Sequence, residues 1–145
     1  IEVIDTVNDL TGNIGDFVCY SNVSTTEVGA WQLTDVSTYS TSATGIIGIV
    51  TSNTSASTPV ILLEGVIRMD GADFSPAIAQ DDLLLGKPVF LSPSTIGKGN
   101  CDATEFNTLN MVRTIGHVLD FDINNTSSDE EFFLYFKPDV INLEL

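Results

Sequence analysis

One imidazole, two thiols and 20 carboxyl side chains are what this 145-residue chain offers besides its hydroxyls for bond-making chemistry. His117 is the one side chain whose ordinary pKa lies near neutrality, so a hydrolytic reading needs it beside Cys19, Cys101 or a serine. No nucleophile-elbow motif and no Cys–His signature accompanies it. The sharpest motif is Asp120-x-Asp122-x-Asn124-Asn125, followed by Ser128 and Glu131. Counted from Asp120, its oxygen-bearing side chains fall where a calcium-binding EF-hand loop places its ligands. Asp120, Asp122, Asn124 and Glu131 are therefore the candidate calcium set. The sixth position is Asn125 instead of Gly, the eighth is the polar Ser127, and the flanks read as strands rather than helices. The simpler expectation is a β-hairpin that needs no metal, with Asp120, Asp122 and Asn124 on its solvent face. Asp70/Asp73 and Asp81/Asp82 are acid pairs of the kind that act on glycosidic bonds, but in so acidic a chain they read as solvated turns. Trp31, Tyr20 and Tyr39 are candidates for stacking on a sugar, with packing as the plainer role. The residues thus name no catalytic set, no cofactor and no required metal.

The elements that would position these residues are short. Apolar segments rich in Val, Ile and Phe alternate with Ser/Thr/Asn/Gly/Asp stretches, the pattern of an all-β domain. Strands are expected near 15–21, 28–34, 45–51, 59–69, 87–92, 111–123 and 131–137. Within 59–69, Val60 to Ile67 is nearly continuous apolar sequence, as is 132–136, and both suit central strands buried on both faces, the first with a bulge or bend at Glu64-Gly65. A short helix fits 75–84, with Ser75 as N-cap, Pro76 in its first turn and Gly86 stopping it. Two polar-separated series run in the same order. Gly15–Ser21, Gly45–Val50 and Pro59–Glu64 are answered by Gly86–Ser92, Arg113–Val118 and Glu131–Phe136, displaced by about 70 positions. A single domain over 1–145 is expected, built from pseudo-repeat halves 15–70 and 86–137 with terminal arms 1–14 and 138–145. It forms a compact β-barrel or β-tulip/sandwich-like body with at most one short helix. In the alignment of halves His117 falls opposite Ile49 and Cys19 opposite Phe90, so both read as packing positions. The contexts of Cys19 and Cys101 differ, one apolar and one polar, which favours two thiols over a bridge.

Five Lys and Arg against 20 Asp and Glu leave a net charge of −15. Clustered cations are absent, which argues against nucleic acid and against anionic membranes, and no apolar run reaches the roughly 20 residues of a membrane-spanning helix. Opening on Ile1, the chain reads as a processed form or a domain of something longer; residues 1–20 bear acids and no cation, unlike a signal peptide. Its ends are apolar. Ile1, Val3 and Ile4, and Val140, Ile141, Leu143 and Leu145, alternate with polar residues as edge strands do. They are candidate partner-interface residues, closing the protein's own sheet or pairing with a neighbour.

The stretch Leu83-Leu84-Leu85-Gly86-Lys87-Pro88-Val89-Phe90-Leu91, followed by Val112-Arg113-Thr114-Ile115-Gly116-His117-Val118-Leu119-Asp120, resembles small head proteins of tailed bacteriophages, the capsid decoration or cement proteins. Their pattern is a G-x-P-V-Y/F-L strand, a variable loop, and a V-x-x-x-G-x-V-L-D strand. The likeness spans residues 83–120, with a fainter echo in the first half; the long Ser/Thr loop and strongly acidic balance depart from it. The resemblance implies an all-β protein without catalytic residues, assembled as a homotrimer on the outside of the virion capsid. Its partners would be the major capsid protein and copies of itself. A tail or fibre adhesin domain binding host-surface carbohydrate is the alternative, and a secreted glycan-active enzyme ranks last.

Overall fold

The computed structural model describes residues 1–4, 13–22, 29–35, 45–52, 59–75, 85–102, 112–121 and 131–139. The chain is all-β. Among the described residues ten strands run in order β1 (Glu2–Ile4), β2 (Phe17–Asn22), β3 (Gly29–Leu33), β4 (Ile47–Ser52), β5 (Val60–Leu62), β6 (Gly65–Asp70), β7 (Pro88–Leu91), β8 (Gly99–Asn100), β9 (Thr114–Phe121) and β10 (Glu131–Phe136). Among the described residues the only helical element is a single 3-10 turn, Gly71–Asp73, and none is a helix long and apolar enough to cross a membrane. The helix expected at 75–84 lies, beyond Ser75 and before Leu85, outside the described residues.

The strands form two five-stranded antiparallel sheets. The first has the order β1-β5-β4-β2-β3 and the second β6-β10-β9-β7-β8. Adding five to each label of the first gives the second, so the same winding occurs twice. Register repeats as well: Val18 faces Gly48 across β2/β4, and Val89 faces Gly116 across β7/β9. The facing does not repeat. In the first sheet Phe17 and Ile49 point into the space between the sheets, whereas at the matching positions of the second Pro88 is half-buried and His117 exposed; there Val89 and Val118 point inward. A one-residue shift exchanges the faces of a strand. The expectation that His117 packs like Ile49 is corrected for this reason, while Cys19 does lie fully buried in the core.

The segment expected as one strand over 59–69 is two strands in different sheets. The chain leaves β5 at Leu62, bends through Leu63-Glu64 and enters β6 at Gly65, whose φ of 152° suits a residue without Cβ. β5 is interior to the first sheet, but β6 is an edge strand with an alternating pattern. β10 is interior to the second sheet, yet buried on one face: Phe132, Leu134 and Phe136 are inaccessible and Phe133 is 38% exposed. The two-residue β8 was not legible, because Gly99-Asn100 has no strand-forming side chain.

The main core lies between the sheets. Phe17, Cys19, Ile47, Ile49 and Leu62 meet Met69, Val89, Leu91, Ile115, Val118, Phe132, Leu134 and Phe136, with Phe74 closing one end. Phe17, Phe74 and Phe132 touch in sequence edge-to-face, at centroid separations of 6.0 and 5.1 Å. A second cluster, Val18, Trp31, Val50 and Ile61, covers the outer face of the first sheet. Residues Ile47–Val50 are consequently all buried, the unbroken apolar run of a strand covered on both sides. Backbone bonds join the sheets at one end. Phe17 N–H donates to Gly97 O (2.8 Å), and Gly97 N–H donates to Thr34 O (2.9 Å).

Candidate interaction surface

The residues with chemical potential are dispersed by the fold. Cys19 and Cys101 form no disulfide; the first is in the core and the second half-buried. Arg113 is 6% exposed and donates to the carbonyls of Gly45 and Asp139. Burial pulls its guanidinium below the ordinary arginine value, opposed by the charge of Asp139 and then by Cys19. A cation near Cys19 was invisible in sequence, since 94 positions separate the two residues. It ties the chain after β10 to the residues entering β4. His117 faces Tyr135 and Pro88 across its strand. Asp120 lies on β9 opposite Phe133, and Glu131 on β10 opposite Asp70. The flanks of the candidate calcium loop are thus strands, as its hairpin reading requires; Asp122 and Asn124 lie outside the described residues. Among the described residues no group of three or more His, Cys, Asp or Glu is placed to hold a metal ion.

The Asp70–Asp73 pair has a local task. The Asp70 carboxylate accepts from Ala72 N–H (2.9 Å), and the Asp73 carboxylate accepts from Asp70 N–H (3.4 Å), a reciprocal cap on the 3-10 turn. Asp73 also belongs to an ionic cluster. Lys98 Nζ lies 3.0 Å from Asp16 Oδ1 and 3.6 Å from Asp73 Oδ1, while Asp16 Oδ2 accepts from Asn13 N–H (2.8 Å). The cluster clamps the entrance of β2 to the β7–β8 turn. Desolvation by burial raises the Asp73 pKa; Lys98 and the Asp70 N–H oppose this, while Asp70 and Asp16 add to it. A raised carboxylate favours the fold when protonated, so its contribution is present in acid and lost as pH rises through the folded value. Asp73→Asn is expected to gain stability relative to the parent at neutral pH and to lose that advantage toward about pH 4, near the ordinary aspartate value. Melting temperatures across this range check it; an advantage that grows in acid would contradict the assignment.

The terminal residues divide. β1 pairs antiparallel with β5, Val3 opposite Ile61 and Ile4 opposite Val60. Leu63 N–H donates to Ile1 O (2.7 Å), and the Ile1 amino group donates to Glu64 O (2.8 Å). The N-terminal strand thus closes the protein's own sheet, with the Ile1 side chain 77% exposed. Val140, Ile141, Leu143 and Leu145 lie outside the described residues. Of the stacking aromatics, Tyr39 is outside them too, and Trp31 is only 7% exposed, its ring edge-on to Tyr20 at 5.3 Å. Trp31 is a packing residue of the second cluster.

Among the described residues, the outer face of the second sheet is the one that carries exposed large side chains in a row. Strand pairing puts Val66, Tyr135, His117 and Pro88 in one cross-strand row. The next row holds Arg68 and Phe133, with Leu119 and Asp120 together opposite Phe133 at a β-bulge. Val66 is 59%, Leu119 49% and Phe133 38% exposed. The corresponding side of the first sheet is buried under its own cluster. Aromatic, Arg and apolar side chains together on an exposed strand surface are the composition of protein–protein contact centres. The signal in sequence was the unbroken run Phe132-Phe133-Leu134-Tyr135-Phe136. It announces a strand apolar on both faces, but not that Phe133 on one of them is exposed.

Set against known protein families, curated proteins and solved structures, the chain has no significant match.

Proposed function

We propose that this protein is a non-enzymatic virion structural protein, a decoration or cement protein of a phage head that binds the outer capsid surface and stabilises it. Its partners are the major capsid protein and copies of itself, as a homotrimer. The observation that carries the reading is local. The two strands bearing the decoration-protein pattern, β7 and β9, are hydrogen-bonded neighbours, and they belong to the sheet whose outer face is exposed and apolar. Small contacts repeated over a lattice give avidity without a strong individual site. A net charge of −15 keeps such a surface from free DNA.

Cosedimentation tests the proposal. The protein should pellet with expanded, undecorated phage shells, saturate at a fixed ratio to capsid subunits, and raise the temperature at which the shells rupture. Failure to bind shells, with saturable binding to host cells or glycans, would replace the reading by the adhesin one. Burial of Trp31 speaks against that alternative, since the indole is taken up by packing.

A further inference from the structure

We infer that Asp73, set beside Asp16 and Lys98, is a proton-operated latch between the two sheets. With a proton on its carboxyl group the sheets are held together at the β2 entrance; without it that end opens locally.

Asp73 belongs to the 3-10 turn that follows β6 of the second sheet, yet its carboxylate lies on the backbone of the first half. A Cβ at Gly15 would collide with all three atoms of that carboxylate, and Gly15 holds a φ of 92°, which favours glycine. Gly15 N–H donates to Val50 O of β4 (2.8 Å), so the notch that receives Asp73 is fixed to the first sheet. The backbone seam between the sheets is adjacent. Phe17 N–H donates to Gly97 O and Gly97 N–H to Thr34 O, one residue along the chain from Asp16 and Lys98.

Among the described residues, the charged groups facing Asp73 are Lys98 from the β7–β8 turn, Asp70 from its own turn and Asp16 from the segment entering β2. Three carboxylates thus share one ammonium, where the Asp16 and Asp73 side chains are only 7% and 18% exposed. Asp16 has short contacts, 3.0 Å to Lys98 Nζ and 2.8 Å to Asn13 N–H. Asp70 accepts from Ala72 N–H at 2.9 Å. Asp73 is left with the long ones, 3.6 Å to Lys98 Nζ and 3.4 Å to Asp70 N–H. A half-buried carboxylate so weakly compensated is the one that gains most from a proton or from water. Burial accordingly raises its pKa, against the pull of Lys98. Protonation leaves the carboxyl group seated on Gly15. Hydration requires the 3-10 turn and the β7–β8 turn to part from the β2 entrance. The closed end holds the proton more tightly than the open one, so closure is favoured in acid and weakens as pH rises through the folded value.

Amide hydrogen exchange between about pH 8 and about pH 5, corrected for intrinsic rates, tests the latch. In the parent the Phe17 and Gly97 amides should be less protected than the amides of the β9–β10 ladder, and their protection should rise about threefold toward acid. Asp73→Asn, the neutral isostere, should keep them at the higher protection throughout and remove the pH dependence. Lys98→Met deletes the cation facing Asp73, so the Asp73 titration, followed by the NMR shift of its carboxyl carbon, should move upward in pH. Seam amides that exchange only as slowly as the β9–β10 ladder open with the whole molecule, and that result overturns the latch. So does a pH dependence that survives Asp73→Asn, or an Asp73 titration that stays or falls in Lys98→Met.

Discussion

Gly116→Ala is expected to lower the melting temperature by about 10 °C, a loss of about 3 kcal/mol, the upper end for overpacking. A methyl group at this position would run into the carbonyl oxygen of Tyr135, with the Leu134 Cδ1 and Phe136 Cα atoms at 3.1 and 3.2 Å. Two of those three atoms are backbone of β10, the strand that holds β9 in register, so relief means separating paired strands. Gly48 has the same place in the first sheet, but there the nearest obstacle is the Ile61 side chain, which can shift in part. Gly48→Ala should cost less than Gly116→Ala. Gly86 is a control of another kind: nothing lies within 4 Å of an added Cβ, and only its φ of 75° opposes a side chain. Gly86→Ala should cost about 1 kcal/mol from backbone strain alone. Thermal denaturation of the three variants checks the ranking, and equal losses at Gly116 and Gly86 would contradict the close approach of β9 to β10.

Phe17→Ala should be the most damaging single truncation in the core, at about 4 kcal/mol. The ring is fully buried and stands between sheets, 6.0 Å from Phe74 and 6.2 Å from Phe136. The cavity would open where the two sheets meet, and rigid strands on both sides could not collapse into it. A domain of this size is stable by roughly 5–15 kcal/mol in total, so the variant would sit near its unfolding threshold at physiological temperature. Ile46→Ala, at a site 57% exposed, should change stability by less than about 0.5 kcal/mol. Urea unfolding of both reports the difference.

The outward face was readable only in part. His117 was expected to pack, because Ile49 occupies the matching place in the other half and does pack. The residue-by-residue alignment was matched by strand pairing, but the two sheets turn opposite sides of the aligned strands toward their common core. A difference of facing has no local signature, since every side chain in a strand has the same backbone whichever way the sheet is turned. The same limit applies to Phe133, which is as apolar as its buried neighbours Phe132 and Leu134. The Asp16–Lys98–Asp73 cluster was likewise hidden, because its members come from three turns brought together by the packing of sheet on sheet.

The sequence by itself determined the all-β character, the position of nearly every described strand, the bend at Glu64-Gly65 and the twofold order of the elements. These follow from β-branched and aromatic runs punctuated by Gly, Asn and Ser, which act over a few residues. Only the tertiary structure decided that residues 59–69 serve two different sheets, that Arg113 and Lys98 are engaged inside the molecule, and which side of each sheet is covered. Those outcomes depend on which apolar faces find one another across the core. Such a choice is made by packing between distant segments, and no short stretch of chain encodes it.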